Sequence, residues 1–295
     1  MSVLSKLDRF VEHDLSHTKL GLSAITFLRK TRISRNIRKR LVFRMMDKGT
    51  YQFSGGSGNS KEFFRDNQQR IDRICDWLSD EESKHTFVKA IRFRCSLRKR
   101  DLPKYYREDK QYFDRVVTLS EQEVFVDCGA YIGDTADRFL AQTNRKYKRI
   151  VCFEPDAQNY RILKQKNVPR LVAILSGVWN ADTELCFESD NATASKISES
   201  EASNAKKVRV SRIDSIPECK DATFIKMDIE GAELFALEGA RETILRNRPK
   251  LAICIYHSDE DMLRIAEYIH SLNPDYKLYV RHYSYEAYET VLYAI

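Results

Sequence analysis

Short apolar runs that close on acidic residues and glycines set the pattern of residues 123–295. The run 124–126 reads as a central strand that passes into Asp127, Gly129 and Gly133, followed by a helix with Ala136, Phe139 and Leu140 on one face. The two glycines permit a tight turn and a close backbone approach to a ligand, and Asp134 or Thr135 is placed to cap the helix. A second strand, 149–153, ends in Glu154-Pro155-Asp156, and a third, 171–175, in Ser176-Gly177-Val178. A fourth, within 222–227, ends in Asp228, Glu230 and Gly231 ahead of a helix through Leu234, Leu237 and Ala240, while a fifth, 251–256, reaches His257. Strands alternating with helices predict an α/β fold with a mostly parallel sheet covered on both faces. Residues 276–282 and 290–294 are two further apolar strands whose connection is too short for a helix, so they must run antiparallel. Four strand ends thus deliver Asp127, Glu154, Asp228, Glu230 and His257 to one rim, the place where open sheets bind ligands.

The first hundred residues pattern differently. Leu28, Ile33, Ile37, Leu41 and Met45 recur near helical spacing among Arg29, Lys30, Arg32, Arg35, Arg38, Lys39, Arg40 and Arg44, with no acid between. This basic amphipathic helix over 28–46 fits two settings: an anionic membrane surface, or a stripe docked on the rest of the protein. The Gly/Ser-rich stretch 54–60 predicts a boundary, with Ser60 capping the next helix. Phe63, Phe64, Ile71, Ile74, Cys75 and Leu78 then mark one helix, and Phe87, Ala90, Ile91 and Phe93 another, expected beside the substrate mouth. The division that follows is a basic helical segment 1–54, a helical extension 55–115, and an α/β domain 116–295. Between 183 and 213 a polar hairpin interrupts the alternation, and its Ser/Ala/Asn-rich loop fits either a lid or a solvated loop.

Charge divides along the same line. Residues 1–120 hold 27 Lys and Arg against 15 Asp and Glu, a net +12; the remaining 23 against 28 give −5, which restores the total of +7. Seven cysteines stand singly, without CxxC spacing, as expected of reduced thiols in a cytoplasm. No apolar stretch approaches the roughly 20 residues that cross a bilayer, and the charged first twenty residues argue against a secretory signal. A cytoplasmic location is expected, with peripheral membrane contact left open.

Four ordered motifs carry a resemblance: residues 126–135, the run Phe153-Glu154-Pro155-Asp156, residues 225–233, and the tail 281–284 with 289–293. Together they resemble the FkbM family of S-adenosylmethionine-dependent methyltransferases, over roughly residues 105–295. The resemblance implies a class I methyltransferase (Rossmann-like) fold with a C-terminal antiparallel hairpin and an N-terminal helical extension. It also implies S-adenosyl-L-methionine as cofactor and methyl transfer to a hydroxyl of a sugar, glycan, glycolipid or small natural product. The cofactor residues expected are Asp127, Cys128, Gly129, Ala130, Tyr131, Gly133 and Thr135 of the glycine turn and Glu154 for the ribose hydroxyls. Ser176, Gly177 and Val178 are expected at the adenine edge, and Asp228 also on the cofactor side.

For the base, Asp228, Glu230 and His257 compete. Neutral His257 could accept a proton near its ordinary pKa of about 6.5, whereas either carboxylate could orient the acceptor. Two carboxylates are too few to predict a metal, and none is expected. His282 is a further candidate for the acceptor pocket. A nucleic-acid methyltransferase is the nearest rival because of the basic first part, but the strand carrying Asp228 continues Ile229-Glu230-Gly231, not as an Asn/Asp-Pro-Pro-aromatic run, and the acidic second part would repel phosphates. A non-catalytic S-adenosylmethionine-binding module and a nicotinamide dehydrogenase complete the alternatives.

Overall fold

The computed structural model describes residues 35–53, 59–103, 110–187, 197–198 and 206–295. At its centre β1 (Val124–Cys128) is buried along its whole length, as a strand covered on both faces must be. It pairs in parallel with β2 (Arg149–Phe153) on one side and β8 (Phe224–Met227) on the other; β2 continues to β3 (Leu171–Ile174) and β8 to β9 (Lys250–Cys254), also in parallel. The sheet order is β10-β11-β9-β8-β1-β2-β3. Chain order reverses between β1 and β8, so the crevice of this sheet opens at the carboxyl ends of those two strands.

The antiparallel ending is present, in a more specific form than sequence predicted. β10 (Leu278–His282) forms the sheet edge, and β11 (Thr290–Ala294) slots between it and β9, antiparallel to both. Only β11 is therefore reversed. Successive residues of β1 face opposite layers: Val126 packs with Val151, Ile225 and Ile253, and Phe125 with Phe139, Ile150 and Phe224.

Helix α1 (Arg35–Lys48) buries Leu41, and also Val42, Met45 and Met46, which cluster with Tyr51, Phe93, Leu102 and Tyr285. That part of the apolar stripe is docked on protein and is not presented to lipid; residues 28–34 lie outside the described residues. No helix among the described residues is long and apolar enough to cross a membrane. Sequence predicted one helix over 63–78, but the structure has two, α2 (Ser60–Asp66) and α3 (Gln68–Trp77), broken at Asn67, whose side chain bonds the Phe63 carbonyl. Nor does Ser60 cap α2: Asn59 holds that position, and the Ser60 hydroxyl donates to Asp259 at 2.6 Å. Asp80 caps α4 (Glu81–Ser96) by accepting from the Ser83 N–H.

These helices cover the exposed edge of the sheet. Leu78 bridges Leu278 of β10, and buried Arg281 pairs with Asp80 at 2.7 Å. Arg94 of α4 bonds both Asp259 and the Tyr256 carbonyl, fastening the segment after β9 that carries His257. The predicted hairpin is present as β5 (Thr183–Phe187) and β7 (Lys206–Ser211), which join β4 (Gly177–Val178) and β6 (Ile197–Ser198) in a small second sheet. Residues 188–196 and 199–205 of its loop, along with 54–58 of the Gly/Ser stretch, lie outside the described residues.

Candidate functional site

The turn after β1 folds back on β2: the N–H groups of Gly129 and Ala130 both donate to the Phe153 carbonyl, at 3.1 and 2.9 Å. Gly129 has φ +77°, and a Cβ there would stand 2.1 Å from the Asp228 carbonyl oxygen, so glycine is what lets the β1 turn and the end of β8 meet. Tyr131, also at positive φ, donates its N–H to Glu154 Oε2 at 2.8 Å. Glu154 Oε1 accepts from the Asp156 N–H at 2.9 Å. Burial pushes the Glu154 carboxyl above the usual range, and the two backbone donors only partly offset this.

Across the crevice, Asp228 Oδ1 accepts from the Tyr256 hydroxyl at 2.9 Å and faces His257 Nε2 at 3.2 Å, while Oδ2 accepts from the Tyr112 hydroxyl at 2.7 Å. Burial works to raise this carboxyl, but His257, Lys226 and Tyr112 outweigh it and hold it well below the ordinary carboxylate range. Glu230 and Gly231 follow with φ of 58° and 97°, and this left-handed pair swings the chain into α7 (Glu233–Glu238). Buried Glu233 thereby comes within 3.2 Å of His257 Nε2, and its Oε1 accepts from the Ile229 N–H at 2.7 Å.

The two rims enclose a cleft of about 520 Å³, lined among others by Gly129, Tyr131, Glu154, Asp228 and Glu230. Its size falls in the range of small-molecule sites. Gly177 and Val178 also line it, followed by Trp179, which stacks on Phe235 of α7 with ring centroids 4.0 Å apart.

Several residues expected on the cofactor sit elsewhere. Asp127 is fully buried and pairs with Lys226 at 3.0 Å beneath the turn. Cys128 and Ala130 are enclosed in the two core layers, and Thr135 is buried in the first turn of α5 (Asp134–Gln142). The N-cap of that helix is Gly133 itself, with no side-chain cap from Asp134 or Thr135. Gly133 does not line the cleft; its Cβ position abuts Leu163 of α6 (Ala157–Gln165) and Lys166, the residue that follows it, so its glycine serves helix packing. Ser176 is buried too, its hydroxyl bonded to Ser211 Oγ and the Arg209 carbonyl at the junction of the two sheets.

His257, one of three candidates for the base, lies between two carboxylates. Burial would lower its pKa, but Glu233 and Asp228 outweigh that and raise it above the ordinary histidine value, which works against a neutral ring. His282 is buried against Thr290, away from the cleft. Burial pushes its pKa down to about 4, so the ring is neutral in the fold. The unfolded chain therefore binds the extra proton as pH falls from 6.5 to 4, and the stability this neutral ring contributes, complete above 6.5, is lost across that window: about 3 kcal/mol. Urea unfolding from pH 7 to pH 4 should show that decline, and a shallower one in His282→Gln.

Sequence reasoning missed Tyr112, Tyr256, Glu233 and Lys226. Only Lys226 carried a signal, as a lone cation in a strand of otherwise apolar residues, where burial demands a partner.

The profile of the FkbM methyltransferase domain matches residues 127–285, more than half of the chain. The chain belongs to the FkbM family. Methyltransferase FkbM from Methylobacillus flagellatus KT superposes with a TM-score of 0.69 at 29% identity, over 79% of this chain and 60% of that one. The chain thus spans about three fifths of that relative, whose fold it shares. An rRNA methylase from Streptococcus thermophilus aligns at TM-score 0.37 and 17% identity, over 60% of this chain and 87% of its own. Fibrillarin of Aeropyrum pernix, solved with natively bound S-adenosyl-L-methionine, aligns at 0.35 and 11%, over 61% and 70%. No curated protein sequence matches significantly.

Proposed function

We propose that this FkbM-family chain is an S-adenosylmethionine-dependent O-methyltransferase acting on a hydroxyl of a sugar, glycan or glycolipid-type acceptor. The observation that carries the reading is one cleft with carboxylates at both ends: Glu154 at the end of β2, and Asp228 with Glu230 at the end of β8.

The residues present fit the cofactor. Glu154 holds one backbone N–H on each oxygen, which fixes its plane; Oε1 also accepts from Asn159 Nδ2 at 3.5 Å, and Oε2 keeps a lone pair for a ribose hydroxyl. When bound, S-adenosylmethionine would supply an electrophilic methyl group on a positively charged sulfur. Asp228, locked by Tyr112, Tyr256 and His257, is a weak base but a rigid hydrogen-bond acceptor, suited to orienting an acceptor hydroxyl; most of the rate in such a transfer comes from positioning. Glu230 lines the same cleft with an exposed carboxylate, and is the group placed to pass the hydroxyl proton to water. Trp179 and Phe235 offer an aromatic wall on which the apolar face of a sugar or base can lie.

Replacing Glu154 with alanine should weaken S-adenosylmethionine binding about 10- to 100-fold in titration calorimetry, the loss expected for hydrogen bonds to a charged group. Undiminished affinity would remove Glu154 from the cofactor. The acceptor class is tested by incubating cell extracts with methyl-labelled S-adenosylmethionine and sorting labelled products by mass spectrometry; label confined to nucleic acid would overturn the hydroxyl-acceptor reading.

A further inference from the structure

We infer that Asp228, Glu233 and His257 form a divalent-cation site at the inner end of the cleft, suited to a hard or borderline ion such as Mn²⁺. One ligand atom from each, drawn from the end of β8, the first turn of α7 and the segment after β9, lies within 4.8 Å of the others. His257 Nε2 stands 3.2 Å from both Asp228 Oδ1 and Glu233 Oε1. A single N–H shared between two carboxylate oxygens bonds neither in line, whereas a cation seated among the three atoms meets all of them. Two carboxylate oxygens with one imidazole is a donor set that Mn²⁺ accepts readily.

Two further observations point to a missing positive charge. Glu233 Oε2 and Asp261 Oδ2 are buried without a hydrogen-bond partner among the described residues. Asp228, Glu233 and Asp261 share one imidazole, the nearby Lys226 ammonium being paired with Asp127, and buried negative charge in that excess is costly unless a cation joins it. The supports a metal site needs are built in: Tyr112 and Tyr256 hold Asp228, and the Ile229 N–H holds Glu233. Entry is open as well, because Asp228 lines the cleft. The occupancy of the site stands by itself; its role, to bind the acceptor oxygen and favour its deprotonation, rests on the methyl-transfer reading.

The test uses the full chain, stripped with EDTA and titrated with MnCl₂ while free Mn²⁺ is followed by electron paramagnetic resonance, without cofactor. One ion per chain is expected, with affinity falling about 10- to 100-fold or more in Glu233→Gln and in Asp228→Asn. Glu154→Gln, at the far end of the cleft, should bind Mn²⁺ as the parent does. Circular dichroism checks each fold, and His257→Gln replaces any variant that does not fold. No binding at about 1 mM free ion, or undiminished binding in the folded ligand variants, overturns the site. S-adenosylmethionine titrated in EDTA is the separate readout of the methyltransferase reading: its failure would leave the Mn²⁺ result standing, and the reverse.

Discussion

Alanine at Gly129 is expected to cost about 3 kcal/mol or more and to abolish cofactor binding with it. Two penalties add. A left-handed conformation costs an L-residue about 1–2 kcal/mol. The new Cβ would also stand 2.1 Å from the Asp228 carbonyl oxygen, a backbone atom directly after the central strand β8, and relief of such overpacking costs about 1–3 kcal/mol more. The shift that relieves the clash must push the β1 turn away from β8, so the stability loss and the loss of the site share a cause. Gly49 supplies the control: it has φ +70° with nothing within 4 Å of its Cβ position, so Gly49→Ala should show only the conformational penalty. Thermal melts of both variants, with calorimetric titration of S-adenosylmethionine, check the result. Equal losses in the two would mean that contact with Asp228 does not set the geometry of the turn.

The parallel sheet was legible because its strands are buried on both faces, so that each reads as an unbroken apolar run such as Val124-Phe125-Val126 or Leu251-Ala252-Ile253. Glu154, Asp228 and Glu230 were legible because strand ends in such a sheet share one edge. Less legible was which neighbour of each motif residue would face the cleft. Gly133 follows Gly129 by four residues and reads as its equivalent in sequence, yet the turn sends one toward β8 and the other against Leu163 and Lys166. Asp127 sits at the end of β1 as Asp228 follows β8, but the register sets it opposite Lys226, which claims it. The surroundings of His257 were hidden for a reason of longer range. Its raised pKa depends on Glu233, which reaches it only because Glu230 and Gly231 both turn left-handed, and no local pattern around His257 contains that information. The place of β11 inside the sheet is likewise decided by competition between edges, not by its own residues.

Removing the amine of Lys226 is the second large effect expected, and it tests what holds the glycine turn in place. The ammonium is almost fully buried; it pairs with Asp127 and donates to the carbonyls of Cys128 and Gly129 at 3.2 and 2.9 Å, the atoms from which the turn departs. Burial opposes its charge, but Asp127 and Asp228 outweigh this and raise its pKa above the ordinary lysine value. Lys226→Met keeps the length of the side chain and deletes the charge, leaving Asp127 unpaired in the interior, at a cost of about 3–5 kcal/mol. Adding Asp127→Asn to that variant removes the orphaned charge and should restore much of the stability, because the penalty of breaking a buried pair lies mainly in the partner left behind. Cofactor affinity should not recover in parallel, since asparagine cannot replace the ammonium beneath the two carbonyls. A double variant regaining both stability and affinity would show Lys226 to be only the counter-ion of Asp127; one regaining stability alone identifies it as the residue that positions the turn for its ligand.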